Sequence, residues 1–107
     1  MREDISRCYS ELEMARLLVL KTCSRMDEVG PKGAIDLIAA SKTTVPLLIQ
    51  YLLDRCMQMH GAAGLTEDFS MAEGFHYAGW CRQAYVRDQV HQMALGKMII
   101  NRYTQCE

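Results

Sequence analysis

Apolar and small residues recur along the first part of the chain as Ile5, Cys8, Leu12, Ala15, Val19, Cys23 and Met26, in steps of three and four. That spacing places them on one face of an α-helix. Leu17, Leu18 and Leu20 widen the stripe, so the helix is expected to meet more than one neighbour. Asp4 or Ser6 can cap its start. Glu11 and Glu13 are expected on the solvated face beside Arg16. Val29-Gly30-Pro31 ends the helix, because Gly commonly follows a helix end and Pro cannot continue one. Helical from Asp4 to Glu28, the rod is roughly 37 Å long at 1.5 Å per residue.

The pattern restarts near Lys32 or Ala34 and runs to Met59, with Ile35, Ile38, Ala39, Val45, Leu48, Ile49, Leu52, Leu53 and Cys56 as its core face. Pro46 falls inside it and removes one helical hydrogen bond. One kinked helix fits better than two helices broken at Thr43-Thr44, because the apolar spacing continues across Pro46 and no Gly flanks it. Gly61 and Gly64 then interrupt the pattern, and Ser70-x-x-Glu73 has the form of a capping box, to which Asp68 can add. A third helix follows from Met71 to about Ala84, carrying Phe75, Tyr77, Ala78 and Trp80. Gly74 and Gly79 each weaken it by roughly 1 kcal/mol relative to Ala, which points to close packing there. A fourth helix starts near Asp88, with Val90, Met93, Ala94, Met98 and Ile99 on one side. No strand-like alternation is present. The expected fold is all-α, an up-and-down helical bundle forming one domain over residues 1–107.

Composition narrows the function classes. The chain has 107 residues, half of them hydrophobic, and a formal net charge of −1. That balance lacks the basic footprint of a nucleic-acid binder. Charged or amide residues interrupt every apolar run before it reaches the length that spans a bilayer, and MREDISR has no apolar core of the kind a secretory signal needs. The five cysteines are odd in number and include no C-x-x-C pair, which argues against a disulfide framework or zinc site. An intracellular, reducing compartment is the expectation, without a choice between cytoplasm and mitochondrial matrix.

The stretch QMHGAAGLTEDF, Gln58 to Phe69, holds the most specific pattern. A Gly-rich break between helices is either a plain turn or a place where main-chain groups meet a ligand. No nucleophile elbow, phosphate loop or dinucleotide fingerprint occurs. Glu73-x-x-His76 and Asp88-x-x-His91 have the spacing used by di-iron bundles, but the two long helices offer no carboxylate on their apolar faces to complete such a site. No metal is expected.

The strings ELEMARLLVLKTCSRMDEVG and AASKTTVPLLIQYLLDRCMQMHGAAGLTEDFSMAEGF resemble the C-terminal helical domain of the acyl-CoA dehydrogenases. More narrowly, the chain is similar to the branch that carries a Gly-Ala-Gly turn followed by Asp-Gly-Pro-Asp-Glu-Val-His, and the resemblance covers nearly the whole length. It implies a flavoprotein that oxidises the Cα–Cβ bond of an acyl-CoA thioester, with a carboxylate as base and FAD as hydride acceptor. It also implies that these helices pack into a tetramer core, and that Gln58, Gly61, Ala62 and Gly64 contact the adenosine end of FAD held by another subunit.

The family motif falls on Tyr85-Val86-Arg87-Asp88-Gln89-Val90-His91, and the fit is partial. Asp88, Val90 and His91 match. Tyr85 stands at the position of the base, and a phenol with an ordinary pKa near 10 is poorly suited to that task. Val86 replaces a Gly, and Gly79 stands where an Arg is usual, whereas Arg82 matches a second family Arg. Asp88 is the nearest carboxylate but lies three residues late. Family members also carry an N-terminal helical domain, a middle β domain and one more helix ahead of this segment. The chain is therefore expected to have no dehydrogenase activity alone. It is expected to leave an apolar face open and to form a homo-oligomer or join the remaining dehydrogenase domains. Acyl-CoA would be a ligand only in that full-length context. The alternative is a non-catalytic helical oligomerisation or interaction module that has lost the catalytic carboxylate.

Overall fold

A computed structural model describes residues 1–84 and 87–105, leaving out the side chain of Asp88. The described residues form four helices and no strand: α1 (Arg2–Gly33), α2 (Ile35–His60), α3 (Met71–Gln83) and α4 (Asp88–Thr104), with a short 3₁₀ turn, Gly61–Leu65, after α2. The all-α expectation and the helix limits hold closely. The anticipated stop at Val29-Gly30-Pro31 is real, since Gly30 has φ 77° and ψ 171° and helical geometry resumes at Pro31. α2 passes through Pro46 as one helix.

α2 is the shared partner: α1, α3 and α4 each pack on it, while α1 makes no comparable contact with α3 or α4. The most buried residues are small ones, Ala15, Ala34, Ala39 and Ala78, joined by Leu52, Thr22 and Thr43. Small side chains let helices cross closely. Gly74 and Gly79 serve the same end on α3, because a Cβ there would come within 3.2 Å of Leu53 and 2.7 Å of Gln50 on α2. Polar links fix the registers. Thr22 donates to the Leu18 carbonyl at 2.7 Å, and its hydroxyl lies 2.9 Å from that of Ser41 on α2. Lys42 Nζ donates to the Cys81 carbonyl on α3. Arg55 and Asp4 pair at 2.9 Å between α2 and α1, and Arg102 and Asp36 at 2.8 Å between α4 and α2.

Those links rotate two helices relative to the expected faces. On α1 the inward side is Cys8, Glu11, Ala15, Leu18, Thr22 and Met26, while Val19 and Cys23 face out. Glu11, expected on the solvated face, is half-buried, and its Oε2 is buried without a hydrogen-bond partner. The stripe on α1 is wide enough to offer two faces, and the partly buried Thr22–Ser41 contact selects between them. On α4 the inward side is His91, Leu95 and Met98 rather than Val90, Met93 and Ile99, which are exposed. The Arg102–Asp36 pair lies one turn further along the same stripe. Ile35 also faces out. The expected caps are absent. α1 starts at Arg2, ahead of both Asp4 and Ser6, and Ser70 occupies the N-cap of α3 without a side-chain cap bond.

The molecule is open for its size. Its extents are 54 × 29 × 25 Å and its radius of gyration is 16.6 Å, against about 13 Å for a compact domain of this length. Its accessible surface is 8175 Å², against about 6,100 Å² for a compact monomer of 12.2 kDa. Leu12, Met14, Leu17, Val19 and Leu20 along α1 are among the large apolar side chains left exposed. Ile5, Cys8, Tyr9 and Leu12 face Ile49, Leu52, Leu53, Cys56 and Met59 across an open apolar groove of about 430 Å³.

Replacing Thr22 by Val keeps the shape and removes the hydroxyl. The expected loss is about 1 kcal/mol in urea unfolding, the usual worth of an intramolecular hydrogen bond; an unchanged midpoint would show that the Thr22–Ser41 contact does not set the α1–α2 register. The acid side of stability follows from the two ion pairs. The hydrogen bond from Arg55, aided by the N-terminal ammonium, holds Asp4 below the usual carboxylate range, and the hydrogen bond from Arg102 does the same for Asp36. A carboxyl whose folded pKa is depressed stabilises the fold above its unfolded pKa and loses that contribution as pH falls through the folded value. Thermal midpoints are therefore expected to fall as pH drops below about 5, with a smaller fall in Asp4→Asn and Asp36→Asn. An equal acid fall in the double variant would assign the effect elsewhere.

Candidate functional site

Gln58, Gly61, Ala62 and Gly64 come together where α2 ends. The Gly61 N–H donates to the Gln58 carbonyl and closes the last turn of α2. Gly61 has φ 62° and ψ −144°, a region that residues with a Cβ rarely enter. A Cβ added there would meet nothing within 4 Å, so the space beside Gly61 is open. Gln58 and Ala62 are exposed on the same turn. Gly64 differs. It is buried, and a Cβ there would lie 2.8 Å from the Met57 carbonyl oxygen and 2.9 Å from its Cα. The 3₁₀ turn thus folds back against the backbone of α2, and Gly64 permits that approach.

The turn is held on its far side too. His60 Nδ1 lies 2.8 Å from the Cys56 carbonyl, and its ring sits 5.2 Å from that of Phe69. The Thr66 hydroxyl and N–H both donate to the Ala63 carbonyl, at 2.7 and 3.1 Å. The result is a fixed main-chain corner with one open side and an amide-bearing residue at its edge. Such a corner suits a flat polar group laid against backbone; among the described residues it presents no charge of its own that would hold one tightly.

The other expected positions fall at the opposite end of α3. Tyr85 and Val86 lie outside the described residues. Arg87 precedes α4, which begins at Asp88. Beside Arg87 and the start of α4 opens a polar cleft of about 620 Å³. Gln50 comes from α2, and Phe75, His76, Gly79, Trp80, Arg82 and Gln83 from α3, with Arg87 and Gln89 at the start of α4. Arg82 Nη1 donates to Gln50 Oε1 at 3.0 Å. Arg82 stands out in the sequence as a family match, whereas the cleft does not. Its signal was available in Gly79, three residues ahead of Arg82, which leaves space for Gln50. Among the described residues no three His, Cys, Asp or Glu side chains converge as metal ligands, and no helix is long and apolar enough to cross a membrane.

An all-α unit with a rigid glycine corner at the end of its central helix is the class that this geometry defines. The family "Acyl-CoA dehydrogenase, C-terminal domain" matches residues 1–87. Acyl-CoA dehydrogenase family member 10 of Mus musculus is 44% identical over 95 residues, covering 89% of this chain and 9% of the mouse protein. Family member 11 of Gallus gallus is 36% identical over 93 residues, covering 87% of this chain and 12% of the chicken protein. A solved structure from Mycobacterium abscessus, assigned as an acyl-CoA dehydrogenase, superposes with a TM-score of 0.92 at 31% identity over 95% of this chain and 25% of its own. The chain belongs to the acyl-CoA dehydrogenase C-terminal domain family, and it spans about a tenth of the length of these two curated relatives.

The two glycines carry different loads and separate in stability. Gly64→Ala drives a methyl into Met57 backbone and is expected to cost about 1–3 kcal/mol. Gly61→Ala has room but is strained by its backbone angles, also at about 1–3 kcal/mol. Gln58→Ala, on the exposed side, is expected within about 0.5 kcal/mol of the parent. Chemical denaturation of the three variants checks this; a neutral Gly64→Ala would show that the turn does not press on α2.

Proposed function

We propose that the chain works as the C-terminal helical part of an acyl-CoA dehydrogenase-type assembly. In it the helices supply oligomer-core surface and the glycine corner supplies one contact to FAD. The open side of the corner, at Gln58, Gly61 and Ala62, is the observation that supports this most. Gln58 would offer its side-chain amide and Gly61 and Ala62 their main chain to the adenosine end of the cofactor, while Gly64 holds the turn in shape. FAD would supply hydride acceptance in the complete enzyme. Within this chain the matching residues only bind and orient.

The chain alone is proposed to be inactive in oxidising acyl-CoA thioesters. Tyr85 occupies the family base position, and Asp88 lies too late in sequence to inherit the role. The excess accessible surface supports association with further copies or with the remaining dehydrogenase domains. A typical interface removes about 800 Å² per partner, and Leu12, Leu17, Val19 and Leu20 on α1 are exposed. A second reading, a helical interaction module without cofactor, is favoured by Tyr85 and by the same apolar surface.

Flavin fluorescence on titration with FAD separates the two. The flavin reading expects saturable binding by an associated species, weakened at least tenfold in Gln58→Ala combined with Gly61→Val, with helical circular dichroism retained. It also expects no acyl-CoA-dependent dye reduction. A folded, associated chain that fails to bind FAD at high concentration would leave the interaction module as the function, and dye reduction by the purified chain would refute the proposed inactivity.

A further inference from the structure

One face of α1 carries a pattern that neither the α1–α2 packing nor the flavin reading uses. Ile5, Tyr9, Leu12, Arg16, Val19 and Cys23 follow one another in alternating steps of four and three, the spacing of a coiled-coil seam. The seam is about 27 Å long at 1.5 Å per residue. α2 leaves it open. Ile5, Tyr9, Leu12 and Val19 are between 39% and 67% exposed, and Arg16 and Cys23 are exposed too, whereas Ala15 and Thr22 on the inward face are buried. Toward its N-terminal end the seam borders the apolar groove, whose second wall comes from α2, so a helix laid on the seam would meet both walls.

Charge selects the occupant. Arg16 is the one charged residue of the seam, and Glu13 stands at its edge with Oε1 3.7 Å from Arg16 Nη1. A second copy laid parallel and in register would set Arg16 against Arg16. A second copy laid antiparallel, with the two-fold axis level with Met14, would set Ile5 opposite Cys23, Tyr9 opposite Val19 and Leu12 opposite Arg16. Each Arg16 would then lie beside Glu13 of the other copy, and the pairing occurs twice. The seam is complementary to itself in this one orientation, and a single polar position in an apolar seam is a known device for fixing register. Area also allows it. The accessible surface of 8175 Å² exceeds that of a compact monomer by about 2,000 Å², and a stable interface removes about 800 Å² per partner. We propose that α1 binds a second copy of this chain antiparallel through this face, with Arg16 of each copy paired to Glu13 of the other. The proposal deepens the oligomer-core part of the reading above and is independent of its flavin contact.

Sedimentation of the full chain measures the pairing, and disulfide linkage reads its direction. Arg16→Glu sets carboxylates against each other in both pairs and is expected to raise the dissociation constant at least tenfold, with helical circular dichroism unchanged. Adding Glu13→Arg rebuilds both pairs with the charges exchanged and is expected to restore association. For direction, the Ile5→Cys chain is incubated with oxidised glutathione, which takes two electrons and two protons from a pair of thiols and leaves as two reduced molecules. Positions 5 and 23 are about 27 Å apart on one helix, so a bond between them joins two copies. Tryptic peptide mapping is expected to find position 5 linked to Cys23. No link to Cys23 is expected in Met14→Cys, where the new thiol lies on the opposite side of α1. A chain that sediments at 12.2 kDa would overturn this proposal together with the oligomer reading. An associated chain that is unaffected by Arg16→Glu, or that links Cys23 to Cys23 and not to position 5, would overturn this proposal and leave association through another face.

Discussion

Everything in this molecule depends on the close crossing of three helices over one. α2 carries α1, α3 and α4, and those three do little for one another. Such an arrangement works only if the crossings are tight, which is why the buried positions are alanines, threonines and a leucine rather than large aromatics. Small residues bring backbones close and gain dispersion contacts along the helix, but each buries little apolar area. The chain therefore obtains a well-defined register at the cost of a thin core. Polar contacts between helices, Thr22 with Ser41, Lys42 with the Cys81 carbonyl and the two Arg–Asp pairs, hold the register that packing alone would leave loose.

The same constraint shapes both candidate sites. At one end of α2, Gly64 lets the chain fold back on the helix, and Gly61 turns it with an open side. Further back along α2, Gly79 lets α3 lie against Gln50, so that Gln50 can hold Arg82. Each site is a by-product of close backbone approach. One presents main chain and an amide, and the other is a polar cleft lined by Gln50, Trp80 and Arg82 among others.

Much of this was legible in the sequence. Helix number and limits followed from spacing and from Gly30, Pro31, Gly61 and Gly64, because those residues punctuate the backbone locally. The family resemblance rested on the Gln58-to-Gly64 turn, and the family match over residues 1–87 agrees with it. Helix rotation was harder to read. On α1, Leu12, Val19 and Cys23 are as apolar as Leu18 and Thr22, and a pattern of hydrophobicity cannot choose between two apolar faces on one rod. The choice comes from a partner hydroxyl, Ser41, far away in sequence. On α4 it comes from Asp36 pairing with Arg102. The cleft was hidden for a similar reason, since Gln50 meets Arg82 only across two helices.

The unread faces explain the surface. With α1 packing mainly on α2 among the described residues, the wide apolar stripe of α1 remains largely open, and the accessible area of 8175 Å² is what a thin, four-helix layer leaves exposed. Burying part of that stripe against another copy would add the stability that the core lacks. The most direct measurement is the thermal unfolding midpoint as a function of protein concentration, because association with the folded state makes the midpoint concentration-dependent. The account predicts a midpoint that rises by several degrees from about 1 to 100 μM chain. A midpoint that does not move with concentration, from a species of 12.2 kDa, would show that the open face of α1 is stable in water and needs no partner.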